Sequence, residues 1–356
     1  MKVFITGGAG FIGCNAAARF IKQGHDVTVY DNLSRPGTAS NLKWLQGFGR
    51  FKFVKGDIRD RRRIEKAVAG ARGLGAVLHY AGQVAVTTSV VDPREDFEIN
   101  ALGTFNVLEA VRKAQPKGAG ARIALLYSST NKVYGGMEDI RIVEKGGRYQ
   151  YRDFKRGIPE DRLLDFHSPY GCSKGAADQY VLDYARTFHM PAVVFRMSCI
   201  YGPHQFGTED QGWLAHFLIR AMKGQAITIY GDGLQVRDVL FVEDLVRAFL
   251  LARDRIDTIS GQAFNMGGGA TRTTSLVELI ELIAQLEGRA VQLQFDAWRE
   301  ADQRYYVSNT SRFQEATGWK PRVSVEDGVR ALHRWLQTMQ APAQVQVPAV
   351  TATVAG

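Results

Sequence analysis

The sequence predicts an α/β fold: a doubly wound parallel sheet carrying a smaller, mainly helical lobe. Three observations predict it. Nearly continuous apolar runs alternate with segments of helical length and period through the first half of the chain. A glycine-rich stretch stands at the first strand–helix junction. After about Tyr201 the rhythm changes to longer loops and well-separated helices. Apolar strands alternating with helices belong to parallel sheets buried on both faces.

The strand-like runs are "KVFIT" (2–6), "DVTVY" (26–30), "FKFV" (51–54), "AVLHYA" (76–81), "RIALLYSS" (122–129) and "AVVFRMS" (192–198). Helical periodicity covers 94–114 and 169–188 among them, and 242–254, 274–287 and 325–338 beyond. The sheet domain is therefore expected to comprise 1–200 plus about 236–265, and the lobe 201–235 plus 266–338. The tail 339–356 lacks periodicity and is rich in small residues, which predicts disorder. The polar, basic and aromatic segment 136–167 reads as an insertion over a site.

A chain of 356 residues, 45% hydrophobic and 23% charged, has the composition of an ordinary globular protein. No apolar run approaches the ~20 residues of a membrane span. The amino terminus enters a strand without the apolar core and cleavage site of a signal peptide, so cytoplasmic residence is the default expectation. Cys14, Cys172 and Cys199 are too scattered for a disulfide framework or a zinc site, and no metal is expected. Cys172 neighbours Tyr170 but reads as an ordinary small thiol. A net charge of +9 calls for an anionic partner. No nucleic-acid-binding signature accompanies it, and "RDRRRIEK" (59–66) interleaves with acids as a solvated face does. A phosphorylated small molecule satisfies the same field.

Strand 2–6 runs into "TGGAGFIG", which spaces Gly7, Gly10 and Gly13 by three before a helix. This is a relative of the Rossmann-type dinucleotide fingerprint. Gly7 permits the tight turn, Gly10 the approach of a pyrophosphate, and Gly13 the close packing of helix on sheet. The helix N-terminus offers its amides to the anion. Asp31 ends the second strand, where a carboxylate accepts ribose hydroxyls and repels a 2′-phosphate. That favours NAD over NADP, with Arg35 the one residue able to move toward such a phosphate. Asp57 and Ile58 follow the third strand and are placed to flank an adenine. Tyr80, Ala81 and Gly82 end the fourth, where small residues let a cofactor lie against the sheet edge.

In "DFHSPYGCSKGAADQY", Tyr170 and Lys174 stand one helical turn apart. Ser168 is a good N-cap and Pro169 a good first helical residue, so the helix should begin just before Tyr170. An adjacent ammonium, the helix terminus and a cationic nicotinamide are together expected to lower the phenol from ~10 toward ~7, about 4 kcal/mol of differential stabilisation. Gly171, Ser173, Gly175 and Ala176 are expected to keep this helix slim where a cofactor passes. The fifth strand delivers Thr130 to the same rim, where a hydroxyl can relay a substrate's proton toward Tyr170.

Taken in order, "TGGAGFIG", "SSTNKVYG", "SPYGCSK" and "QVRDVLFVEDL" resemble the extended short-chain dehydrogenase/reductases that act on nucleotide sugars, over roughly residues 1–338. The resemblance implies a catalytic triad of Thr130, Tyr170 and Lys174, with Lys174 also holding the nicotinamide ribose. It implies a tightly held NAD, reduced and reoxidised in one turnover, and a homo-oligomer. It adds Phe11, Ile12, Asn32, Asn100, Ser128 and Met197 to the cofactor set. Dehydratases of the family carry an acid pair after the threonine; Asn131 and Lys132 stand here instead, which favours an epimerase.

"DFHSPYGCSKGAADQYVLDYAR" and "YGPHQFGTEDQGW" are similar above all to the 2-epimerases of CDP-linked sugars. That implies a transient ketone at C2 of a CDP-sugar. A UDP-hexose 4-epimerase, or another nucleotide-sugar dehydratase or reductase, stays open at this point. A cofactor-sensing regulator without chemistry is the reading of a different class. Arg237, Arg299 and Arg304 are guanidiniums suited to a diphosphate. Gln83, Thr130, Asn131, His204 and Gln205 are placed to meet the sugar, and Arg148 and Tyr149 to close over it.

Overall fold

A computed structural model describes residues 1–116, 122–298 and 303–340. Its centre is a seven-stranded sheet. From one edge the strands run Gln262–Met266, Ala192–Met197, Ala124–Thr130, Leu74–His79, Lys2–Thr6, Asp26–Asp31 and Lys52–Lys55, every neighbouring pair parallel. The chain builds outward from Lys2–Thr6 on one side, then returns to build on the other. The crevice between Lys2–Thr6 and Leu74–His79 is therefore the topological switch point, where the carboxyl ends of parallel strands bind ligands.

Both sheet faces are covered, as the apolar strands require. Helices Phe11–Lys22 and Val242–Asp254 pack Ala17, Phe20, Leu245 and Phe249 on one face. Helices Gly103–Ala114 and Ser168–Thr187 bury Val107, Val111, Val181 and Tyr184 on the other. The predicted strands lie where the sequence placed them within a few residues. The fourth ends at His79 rather than 81, because Tyr80 and Ala81 turn against the glycine loop: a Cβ at Gly7 would stand 2.6 Å from the Ala81 nitrogen.

The segment 94–114 is not one regular helix. A short α-helix, Pro93–Phe97, passes through a π turn, Glu98–Leu102, before the α-helix resumes at Gly103. Strand Val236–Phe241 was expected within the sheet domain. It instead pairs with Cys199–Tyr201, Thr273–Ser275 and Tyr305–Tyr306 in a separate sheet. Leu240 of this strand already joins the main core, and the helix that follows completes the return. In the lobe, helices Trp213–Met222, Leu276–Glu287 and Val325–Gln340 enclose Leu214, Phe217, Leu279, Ile283 and Leu332.

Within 136–167 lies a hairpin, Ile142–Glu144 with Tyr149–Tyr151, on a small apolar cluster that includes Met137, Ile140 and Tyr306. The last helix runs to Gln340, two residues into the stretch expected to be disordered. The rest of that tail, 341–356, lies outside the described residues.

Candidate active site

A cleft of about 220 Å³ opens at the switch point. Its floor is the glycine loop. Gly7 sits at φ +64°, and a Cβ on Gly13 would fall 2.1 Å from the Gly7 carbonyl oxygen, so neither tolerates a side chain. Gly10 differs. Within 4 Å its Cβ would meet only the Gly7 oxygen, so backbone is bare toward the cleft at the N-terminus of Phe11–Lys22, and no side chain caps that helix. A bare helix terminus of this kind attracts an anion. Asp31 forms the next wall, accepting the Ala9 N–H at 3.0 Å and the Leu33 N–H at 2.8 Å. Burial pushes its carboxyl up, and these amides pull it back.

Phe11, Ile12, Asn32, Asp57, Ile58, Tyr80, Ala81, Gly82, Ser128 and Met197 line the same cleft. Asn32 donates to Asp57 at 2.9 Å. Asn100 does not line it. It stands behind Gly82, accepting the Gln83 N–H at 3.0 Å and donating to Asp96 and Ser173. Arg35 does not turn toward Asp31 as a 2′-phosphate ligand would; it crosses the cleft mouth to Gln211 at 2.8 Å. Bare backbone at Gly10 and an acceptor at Asp31 fit a dinucleotide with free ribose hydroxyls.

At the far end of the cleft stand Tyr170 and Lys174. Their helix, Ser168–Thr187, starts one residue earlier than expected: His167 is its N-cap and Pro169 lies in its first turn, while Ser168 Oγ accepts the Gly171 N–H at 3.2 Å. The Tyr170 N–H is taken by Ser89 Oγ at 3.1 Å. The Thr130 hydroxyl lies close enough to the Tyr170 phenol to pull its pKa down, while its own hydrogen bonds run to Asn131 Oδ1 at 3.4 Å and from the Lys132 N–H at 3.2 Å. Lys174 Nζ donates to the Ser128 carbonyl at 2.6 Å and lies 4.4 Å from the centre of the Tyr127 ring.

Burial works against the lowering expected from lysine, helix terminus and nicotinamide together. Burial pushes the Tyr170 phenol up to about 12, with Thr130 and Arg35 opposing. Burial pushes Lys174 down to about 7, with Asp178 and Asp96 opposing. Desolvating both groups outweighs what one ammonium contributes. The glycines of this helix also serve differently from expectation. A Cβ at Gly175 would stand 2.4 Å from the Phe166 ring, so that glycine admits a packing aromatic.

The expected sugar contacts scatter. Asn131 is buried beside Thr130, whose hydroxyl reaches its Oδ1 at 3.4 Å. Gln83 is not available to a substrate: its amide donates to Ala85 O and Asp96 and accepts the Ala85 N–H. His204 lines the cleft on the glycine-loop side, 3.7 Å from the Trp44 ring centre and 3.1 Å from Asn41 Oδ1. Burial lowers it to about 4, so it is a neutral packing imidazole. Gln205 also lines the cleft; its Nε2 binds the Ile200 carbonyl, while its buried Oε1 has no hydrogen-bond partner.

Arg237 lies in the lobe's sheet, and both it and Lys132 act on the Cys199 thiol. Arg304 stacks between Trp298 and Tyr149, 5.2 and 5.6 Å from their ring centres. Tyr149 is held by Asp232, and Arg148 by Glu278 and Thr273. Arg299 lies outside the described residues. Asp96, Asp178, Arg196 and Gln211 were not singled out in the sequence. Of these, Asp178 had a signal, standing one further turn beyond Lys174.

An anion-binding glycine loop, a ribose-accepting carboxylate and a Tyr–Lys pair on one helix define a pyridine-nucleotide enzyme built for proton transfer at a hydroxyl. The chain belongs to the NAD dependent epimerase/dehydratase family, whose pattern matches residues 3–267, and its cofactor is NAD. It is 44% identical to CDP-paratose 2-epimerase of Salmonella typhi over 95% of this chain and 100% of that one. Identity to UDP-glucose 4-epimerase of Mycolicibacterium smegmatis is 32%, over 92% and 96%. Among solved structures, UDP-glucose 4-epimerase from Thermotoga maritima, with UDP-glucose, superposes with a TM-score of 0.81 at 30% identity, covering 95% of this chain and 99% of that one. The Thermus thermophilus UDP-glucose 4-epimerase complex with NAD gives 0.77 at 30%, over the same shares.

Proposed function

We propose that this NAD-dependent nucleotide-sugar epimerase inverts C2 of a CDP-linked deoxysugar, CDP-paratose or a close analogue. The observation that carries the reading is the 44% identity to a CDP-paratose 2-epimerase over its whole length, against 32% for a UDP-glucose 4-epimerase. Thr130, Tyr170 and Lys174 are the residues assigned to the chemistry. Gly10, Asp31 and Lys174 would hold NAD, which would supply an acceptor for the hydride leaving the sugar carbon and the donor for its return. Thr130 holds the reacting hydroxyl, and Tyr170 removes its proton and later returns it to the opposite configuration. Lys174 stabilises the phenolate that this requires. The buried setting of the pair excludes water, so an intermediate ketone is protected while it presents its other face.

Asn131 and Lys132 leave no carboxylic acid beside Thr130 to expel water, which weighs against a dehydratase. Arg237 and Arg304 are assigned to the diphosphate. The three free thiols suit a reducing compartment, and cytoplasmic residence is part of the proposal. So is a homo-oligomer, supported by the apolar side chains of Val90, Val91, Phe97 and Phe105, exposed on neighbouring helices. The test is NMR of products from CDP-paratose, UDP-glucose and dTDP-glucose offered separately. Inversion at C2 of the CDP-sugar without net NADH is expected. Inversion at C4 of UDP-glucose, or loss of water from dTDP-glucose, overturns the assignment.

A further inference from the structure

Three successive residues at the end of strand Ala124–Thr130 are each engaged from helix Ser168–Thr187. The Ser128 carbonyl accepts from Lys174 at 2.6 Å and Ser129 Oγ donates to Asp178 at 2.8 Å, while Thr130 lies near enough to Tyr170 to pull its pKa down. The helical partners stand at 170, 174 and 178, so one helix face reads one strand end. The third of these contacts is to a carboxylate with no solvent exposure. An isolated buried carboxylate is costly. Arg196 compensates it with a fork, Nε to Oδ2 and Nη2 to Oδ1, both at 3.0 Å. Arg196 itself donates to Tyr134 Oη at 3.2 Å, and Tyr134 to Asn265 at 2.7 Å. A buried polar chain thus runs from the catalytic helix across three strands.

We propose that Asp178 is a positioning residue of the active site. Clamped by Ser129 and Arg196, its carboxylate fixes the catalytic helix in register with the end of strand Ala124–Thr130 and sets a negative charge one helical turn from Lys174. This rests on the triad assigned above. The groups facing Lys174 are Tyr170 and Asp178 on its own helix, Asp96 from Pro93–Phe97, His79 and Tyr127 from the strands beneath, and Arg196 behind Asp178. Burial holds His79 neutral, well below its ordinary range, so it gives Lys174 no negative charge. The anions are Asp96 and Asp178, and Asp178 exerts the larger effect on Lys174.

Replacing Asp178 alone strands Arg196 without its counter-ion, which can prevent folding. The test therefore pairs D178N with the double variant D178N/R196M, which removes both charges at similar volume. Two readouts are taken on NAD-loaded protein. One is the pH profile of kcat. The other is tyrosinate absorbance against pH, each protein referenced to its own Y170F counterpart. In the folded double variant, Lys174 loses its proton earlier, so the alkaline limb of kcat moves down by about half a pH unit or more. Less Tyr170 phenolate is present at neutral pH.

Unmoved limbs and an unchanged tyrosinate titration overturn the proposal, whether kcat holds or falls, because a merely structural contact would lower activity without moving either. If Y170F in the otherwise unaltered protein leaves both turnover and the tyrosinate titration intact, the triad assignment itself fails instead. The two failures are thereby told apart.

Discussion

His79 shows how a single side chain in the sheet couples to pH. It has no solvent exposure, and its ring nitrogens pair with Thr6 Oγ1 at 2.6 Å and Thr104 Oγ1 at 3.0 Å. Burial lowers its pKa to about 3. The unfolded chain therefore binds a proton there that the folded chain refuses. Stability is full above the unfolded value of about 6.5 and is lost as pH falls from there toward about 3. The width of that window bounds the loss at roughly 5 kcal/mol. Denaturant melts of the wild type should weaken over that window, whereas a His79→Gln variant, if folded, should show a flatter profile. Identical slopes would remove His79 from the account. At this scale the sequence was legible where a residue is the only chemistry that fits: the glycines at 7 and 13 admit no Cβ, and Asp31 ends its strand at the cleft. It misled where a polar side chain is consumed internally. Gln83 looked like a contact at the strand mouth, yet its amide is tied to Ala85 and Asp96.

Among elements, the π turn Glu98–Leu102 and the helices flanking it have one buried and one exposed side. Asn100 and Asp96 face inward to the catalytic helix, while Phe97 at 54% and Val91 at 86% exposure face outward. Phe105 and Tyr180 extend this outer apolar surface across two helices, their rings 5.7 Å apart. A second copy of the chain is the occupant we assign to it. A Phe97→Glu/Phe105→Glu variant should elute as a monomer in light-scattering chromatography while its far-ultraviolet spectrum stays unchanged. A wild type that is already monomeric at micromolar concentration would end that assignment. Regular elements were readable from period and caps. The π turn was not, since tertiary contacts at Asn100 fix it and local period and caps do not announce it. Nor did the sequence show that 236–241 forms a strand of a second sheet, because a short apolar run does not specify which sheet it joins.

For the whole molecule, alternation of strand and helix was enough to give the doubly wound sheet and its crevice. The way the lobe is fastened to it was not foreseeable, because the contacts join residues more than 150 positions apart. Segments 32–41 and 203–212 interlock along one lip of the cleft. Arg35 binds Gln211, Asn41 donates to the His204 carbonyl, Asn15 donates to the Pro203 carbonyl, and Gly37 lies directly under the Phe206 ring. Gln211→Ala combined with Phe206→Ala should shed NAD faster on dialysis, read as moles of nucleotide per mole of protein. Retention equal to wild type would show that the lip is ornamental to binding.

That lip has a consequence for the economy of the reaction. A redox-neutral isomerisation regenerates its oxidant at every cycle, so a coenzyme that never departs serves turnover after turnover. Were the lip to stay fastened through the cycle, the enzyme would be insulated from the surrounding balance of oxidised and reduced nucleotide, an outcome the dialysis measurement reads.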